Sequence, residues 1–273
     1  MKLTLNTLGA PGWKLEQVAQ NARAYGYAGV DVRLIDGEVI SLESVRANRQ
    51  RLRTLFQKAD LPIAVLGTSV RLAADPQGAE REVAEWIDLA AELGVPVIRV
   101  YGGMRPEGVD LDAASRVVGE TLARIAPRAQ QAGVAVGIET HDDFSSAASV
   151  ARALELAPAR SVGALWDMLH TARMGETPSQ VLGLIGDRVL NVHLKDARRR
   201  GDKWDLCLLG EGEVPVKEGL RLLKERGYDD FISVEWEKKW HPEIAEPEVA
   251  FPQHLELLNR WVGELGPQPA VRA

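Results

Sequence analysis

The sequence predicts a closed parallel (β/α)8 barrel, and three observations carry that prediction. Eight short β-rich runs alternate with eight segments whose apolar residues recur at helical spacing. Glycine stands at the exits of the helical segments, and no composition shift or Gly/Ser linker divides the chain. Strand–helix alternation implies a parallel sheet, and eight units suffice to close it. With 273 residues, 45% hydrophobic and 26% charged, the chain has the size and composition of a single barrel of about 250 residues.

The first β-rich run is Lys2–Leu8, followed by helical spacing over Trp13–Tyr25. Gly29–Leu34 leads to Leu42–Ala59, and Ile63–Thr68 to Glu80–Leu93, where Val83, Trp86, Ile87, Ala90 and Ala91 form one apolar stripe. Val97–Tyr101 precedes Ser115–Ala132, and Ala135–Thr140 precedes Ala147–Leu156. Val162–Asp167 is followed by the weakest helical segment, Ser179–Ile185. Leu190–Lys195 precedes Val216–Arg226, and Phe231–Glu237 precedes Glu248–Leu265. Gly26, Gly94, Gly133 and Gly227 follow helical runs where a left-handed cap is wanted. The barrel domain is therefore placed at residues 1–265, with 266–273, beginning Gly266-Pro267-Gln268-Pro269-Ala270, as a disordered tail.

Net charge is −6, from 33 Lys and Arg against 39 Asp and Glu. A nucleic-acid binder is expected to carry a basic footprint, and this balance leans the other way. The local run Arg198-Arg199-Arg200 reads as a solvated loop. The amino terminus lacks the apolar stretch of a signal peptide. No window approaches the roughly 18 to 20 apolar residues of a membrane span. Cys207 is the only cysteine, so no intrachain disulfide or thiolate metal cluster can form, and it reads as a packing residue. These readings predict a soluble cytoplasmic protein with no nucleic-acid or membrane partner; assembly as a homodimer or homotetramer stays open.

The polar residues at the strand ends carry the chemistry. In a parallel barrel side chains alternate between lumen and helices, and the working face lies at the carboxyl ends of the strands. Gly137-Ile138-Glu139 sends Ile138 to the helices and Glu139 inward. Leu165-Trp166-Asp167 does the same for Asp167. Asn191-Val192-His193-Leu194-Lys195 puts Asn191, His193 and Lys195 on the inner face, and Ser233-Val234-Glu235-Trp236-Glu237 turns Glu235 inward. Four consecutive strands thus deliver Glu139, Asp167, His193 and Glu235 to one mouth. Buried charge is costly unless paired or metal-bound. An oxygen-rich set with one histidine suits one divalent ion, Mn²⁺ first and Mg²⁺ or Co²⁺ as alternatives. It differs from the thiolate or multi-histidine sets of structural zinc.

Taken together and in order, "IET", "WDMLH", "VHLKD", "LGEGEV" and "SVEWE" resemble the xylose-isomerase-like TIM barrels, and within them the sugar phosphate isomerase/epimerase branch, with ketose 3-epimerases and inosose dehydratases as relatives. The resemblance covers nearly the whole chain. It implies that Glu139, Asp167, His193 and Glu235 hold one divalent metal. It implies that Glu139 and Glu235 form an acid/base pair and that His170, three residues after the aspartate, contacts a sugar. The chain departs from ketose 3-epimerases where a further glutamate would stand, reading His141-Asp142-Asp143-Phe144-Ser145, and it offers no single arginine after the metal histidine.

The expected activity is sugar isomerisation or epimerisation by proton abstraction beside a carbonyl, through an enediolate stabilised by a Lewis-acidic metal. The alternative is a lyase of inosose dehydratase type, in which the second carboxylate expels a hydroxyl. Lys195 is a candidate proton donor, or else a salt-bridge partner of Asp167 or Glu235. Arg33, Arg99 and Tyr101 are further inward-facing candidates for substrate binding, with Arg33 leaning towards support of the acidic ligands, and His141 sits at the rim. The "GEG" at Gly210–Gly212 reads as a loop, and Trp236 as core, with Trp240, His241 and Pro242 as a wall or partner contact. Apurinic endonucleases share the barrel and its metal logic, but they need several metals, more than these five histidines and a basic groove. A sugar sensor without catalysis would not need two opposed carboxylates. The expected partner is a small sugar or cyclitol.

Overall fold

Eight parallel strands close on themselves in the computed structural model, which describes residues 1–266. They are β1 (Lys2–Asn6), β2 (Gly29–Val32), β3 (Ile63–Arg71), β4 (Val97–Tyr101), β5 (Ala135–Glu139), β6 (Val162–Asp167), β7 (Val189–Leu194) and β8 (Phe231–Val234). Strand β8 bonds back to β1, with Ser233 level with Thr4. The outer layer consists of α1 (Leu15–Tyr25), α2 (Leu42–Lys58), α3 (Pro76–Leu93), α4 (Leu111–Ala132), α5 (Ala147–Leu156), α6 (Met168–Arg173), α7 (Pro178–Ile185), α8 (Val216–Glu225) and α9 (Pro247–Glu264). The chain is a single-domain (β/α)8 barrel. The tail expected from Gly266 lies, from residue 267 on, outside the described residues.

Local chemistry sets the element ends. Gly26, Gly94 and Gly133 close α1, α3 and α4 in the left-handed conformation, as their positions after the helices require. Helix α3 starts at Pro76 rather than Glu80, because Asp75 accepts the Gly78 N–H and Pro76 fits the first turn. Helix α4 begins at Leu111, capped by Asp110 on the Ala113 N–H. In both cases the cap precedes the apolar stripe by a turn. Helix α6 was not foreseen: Asp167 ends β6 and at once caps α6 by accepting the His170 N–H.

Strands β1, β2 and β8 end before the expected residue, as β5 and β7 do by one residue, while β3 runs past Thr68 to Arg71. Strand β1 stops at Asn6, whose side chain accepts the Leu8 N–H and starts a 3-10 turn over Thr7–Gly9. Strand β2 stops at Val32 because the Thr7 hydroxyl takes the N–H groups of Arg33 and Leu34. Leu34–Ile35 then pairs with Glu38–Val39 across Asp36 and Gly37, both at positive φ. Strand β8 ends at Val234, although the Glu235 N–H still reaches Leu194 O. A second hairpin joins Asp196–Arg200 to Lys203–Cys207, so the arginine run is a strand and not a loop.

The alternation of faces holds. Ile138, Trp166, Val192, Leu194, Val234 and Trp236 are buried against the helices. The lumen has an apolar floor of Ala64, Val65, Val97 and Leu165. Leu165 lies two residues below Asp167, and Val97 two below Arg99. The polar mouth thus rests on a packed plug, which fixes the heights of the functional side chains.

Candidate metal centre at the barrel mouth

Register brings the four expected ligands to a common level. Asp167 pairs with His193 across β6 and β7, and His193 pairs with Ser233 across β7 and β8, two residues before Glu235. One ligand atom from each of Glu139, Asp167, His193 and Glu235 lies within 4.8 Å of all the others, and all four residues are buried. That spacing and donor set fit a single divalent ion.

Each ligand is held by a second group. His193 Nδ1 lies 3.2 Å from Glu139 Oε1 and 3.1 Å from Glu235 Oε1. The other oxygen of Glu139 accepts from Arg99, and the other oxygen of Glu235 accepts from Lys195. Lys195 Nζ also donates to Asp167 and lies 2.9 Å from Glu237 Oε1. Burial alone would raise Glu139, but Arg99 and His193 outweigh it and hold the carboxyl below its ordinary range. Burial is likewise overcome at Glu235, by His193 and Lys195, which keep it well below the usual value. Burial opposes the charged forms of His193 and Lys195, yet Glu235 and Glu139 raise the first well above normal and Asp167 and Glu235 raise the second. These shifts describe a buried cluster in which Glu139 and Glu235 are held ionised by the cations beside them.

The two arginines divide differently from the lean towards Arg33 as support. Arg99 is the supporting group: it pairs with Glu139 and stacks 4.0 Å from the Tyr101 ring centroid. The Arg33 guanidinium donates only to Gly67 O and Ser69 Oγ, both at 2.8 Å. Among the described residues no carboxylate lies within ion-pair distance of Arg33. Gly67 lets the pair pass, since a Cβ there would meet Arg99 Nη2 at 3.1 Å and Arg33 Cδ at 3.2 Å.

On the β4–β6 side of the mouth, His141 sits between two rings. Its centroid is 4.6 Å from Tyr101 and 4.5 Å from His170. Burial, the largest effect on His170, lowers its pKa. Burial also opposes a charge on His141, but the Asp142 carboxylate 3.0 Å from its Nδ1 raises it above normal. A neutral and a more basic imidazole therefore stand side by side at the rim.

Arg198, Arg199 and Arg200 stay outside the site. Arg198 pairs with Glu211 at 2.6 Å, Arg200 with Asp205 at 3.0 Å, and the Arg199 N–H goes to Glu213. Trp236 is core, its Nε1 donating to Ala245 O, whereas Trp240 is exposed and His241 half-buried. Cys207 is buried, and burial followed by Asp196 pushes its thiol up to about 11. Two site residues were missed, Asp31 and Glu237. Asp31 is fully buried, its Oδ2 2.9 Å from His193 Nε2. The signal was present, since Asp31 and Arg33 flank outward-facing Val32 and Glu237 follows Glu235 at the same two-residue step.

A profile described as the xylose isomerase-like TIM barrel matches residues 19–261. The chain belongs to the xylose isomerase-like TIM barrel family. It is 28% identical over 192 residues to the uncharacterized protein MJ1311 of Methanocaldococcus jannaschii, covering 67% of this chain and 64% of that one. It is 21% identical over 282 residues to the fructoselysine 3-epimerase of Escherichia coli O157:H7, covering 97% of this chain and 99% of the epimerase. The fold superimposes on the crystal structure of IOLI protein with a bound zinc atom, with a TM-score of 0.82 at 17% identity over 97% of this chain and 99% of that one. Isomerases and dehydratases recur among the other matches. None of the described helices is long and apolar enough to cross a membrane.

Proposed function

We propose that this chain is a divalent-metal-dependent sugar isomerase or epimerase working by proton abstraction beside a carbonyl. The observation that carries the reading is the buried convergence of Glu139, Asp167, His193 and Glu235 within 4.8 Å. A bound divalent ion, with Mn²⁺ the first choice and Mg²⁺ or Co²⁺ next, would supply Lewis acidity to a carbonyl and adjacent hydroxyl. Glu139, Asp167, His193 and Glu235 would hold it.

The chain's own groups then divide the proton work. Glu139 and Glu235 approach the centre from opposite sides of His193, each offering one oxygen while a cation holds the other. The two cations are not equivalent. A guanidinium does not give up its proton in a protein, so Arg99 fixes Glu139 in orientation and charge. An ammonium can, so Lys195 can donate a proton to the substrate oxygen while Glu235 takes the carbon-bound one. Glu235 with Lys195 is accordingly the abstracting pair, and Glu139 the group on the opposite face. Arg33, with no carboxylate to satisfy it, is placed to bind substrate oxygens, and Tyr101, His141 and His170 form the wall against which the sugar lies. Elimination of water begins with the same abstraction, and the matches to inosose dehydratases keep it as the second reading. It is told apart by loss of a hydroxyl.

The test is metal analysis followed by a panel of ketoses, inososes and keto-glycosides in D₂O. Deuterium should appear at the carbon beside the carbonyl. Glu235→Gln should abolish exchange, whereas His241→Ala should keep most of it. If no substrate exchanges with Mn²⁺, Mg²⁺ or Co²⁺ restored, the enzyme reading falls; full exchange in Glu235→Gln would overturn the acid/base assignment alone.

A further inference from the structure

His193 is held at both ring nitrogens, and the two ends differ. Nδ1 faces Glu139 and Glu235, the proposed ligands. Nε2 faces away from them, 2.9 Å from Asp31 Oδ2. Asp31 comes from β2, three strands round the barrel from β7, is fully buried, and takes the Ser233 hydroxyl on the same Oδ2 at 3.0 Å. Its Oδ1 has no partner. Among the described residues no Lys or Arg pairs with it. A buried carboxylate with one oxygen unsatisfied is costly where stability is the only concern, and among the described residues His193 is the one ionisable side chain paired with it.

The chemistry of imidazole gives this contact a direction. A neutral ring carries one N–H and one lone pair, and the partner of one nitrogen decides which is which. A carboxylate at Nε2 demands the proton there, which leaves the lone pair on Nδ1, the nitrogen that points at Glu139 and Glu235. We propose that Asp31 is a positioning residue for the metal centre, locking His193 in the Nε2–H tautomer and aiming its Nδ1 lone pair at the ion. The inference rests on the metal reading above and adds to its four ligands a fifth residue, a carboxylate that touches no ion. Groups of this kind change metal affinity by about 10- to 100-fold when removed. Asp31 also explains why the site draws on β2, a strand that supplies none of the four ligands.

The experiment titrates the full chain with Co²⁺, following both affinity and the ligand-field bands. Asp31→Ala should weaken Co²⁺ binding about 10- to 100-fold and alter the bands, because the ring is free to turn. Asp31→Asn keeps an oxygen acceptor for Nε2–H and should recover most of the affinity and the native spectrum. In a His193→Ala background, Asp31→Ala should add little. Native affinity and spectrum in a folded Asp31→Ala would overturn the proposal. A second measurement uses the wild-type chain and needs no variant: with Zn²⁺ bound, ¹H–¹⁵N spectra of labelled histidine should place the proton on His193 Nε2 and the metal on Nδ1. The reverse assignment overturns Asp31's role while leaving the metal reading intact. Failure of the wild-type chain to bind Co²⁺, Mn²⁺ or Zn²⁺ overturns the metal reading, and Asp31's role goes with it.

Discussion

His254 sits in α9 with its ring edge-on to Trp236 at 5.2 Å between centroids, and its Nδ1–H donates to Ala250 O at 2.6 Å. Its Nε2 has no partner, and burial pushes the imidazole pKa down to about 4. The unfolded chain takes up this proton near pH 6.5, whereas the folded chain resists until about pH 4. The stabilising effect of keeping the ring neutral is therefore complete above pH 6.5 and is lost as pH falls towards 4, by about 3 kcal/mol across that window. Denaturant unfolding at pH 7 and pH 4.5 should give a shallower pH slope for His254→Leu than for wild type, and equal slopes would refute the assignment. Single residues also show where sequence reading stops. Period-two alternation found Glu139, Asp167, His193 and Glu235, because it needs only the residue's own strand. Which arginine supports a ligand was not legible: Arg99 reaches Glu139 because β4 and β5 are in register, Tyr101 opposite Glu139, and no local pattern encodes that.

The element whose order depends most on one side chain is the Asp196–Arg200 hairpin strand with the loop behind its partner strand. Asp196 is buried, and its two oxygens accept from the N–H groups of Ala197, Gly210, Gly212 and Val214. "KD" and "LGEGEV" are thus one structural unit, a carboxylate and the amides that enclose it. Gly212 must be glycine, since a Cβ there would lie 2.2 Å from Asp196 Oδ1 and 2.5 Å from Ala197 O. Asp196→Ala should cost about 3 kcal/mol, because buried amides lose their acceptor. The loss should appear as faster hydrogen exchange at Gly210, Gly212 and Val214, with the barrel strands unchanged. Unaltered protection there would show that the loop holds itself. The arginine run reads as a loop because Arg198, Arg199 and Arg200 are all exposed and show no apolar alternation; the strand signal lies in their partner, where Trp204 and Leu206 alternate with Lys203 and Asp205 and pack against the core.

Across the whole molecule, the eightfold alternation was legible because each β/α unit is written in its own stretch of sequence, while strand ends were not, because they depend on contacts between units such as Thr7 with Arg33 and Leu34. The same distinction applies to charge. Five carboxylates reach the mouth, Asp31 from β2, Glu139 from β5, Asp167 from β6, and Glu235 and Glu237 just past β8, against three fixed cations, Arg33, Arg99 and Lys195. With His193 neutral, the mouth lacks two positive charges, which one divalent ion would supply. The barrel should therefore be less stable without metal, with the strain shared by β2 and β5 to β8 rather than confined to one loop. At an ion concentration 100 times its dissociation constant, binding to the folded state alone adds about 2.7 kcal/mol. For a chain of this size that corresponds to roughly 5 to 10 °C in melting temperature. Melting in EDTA and then with Mn²⁺ restored should show that rise in wild type and a much smaller one in Glu235→Gln. Identical melting in EDTA and in saturating Mn²⁺, Co²⁺ and Mg²⁺ would mean that the mouth balances its charge by protonation, and that no ion belongs there.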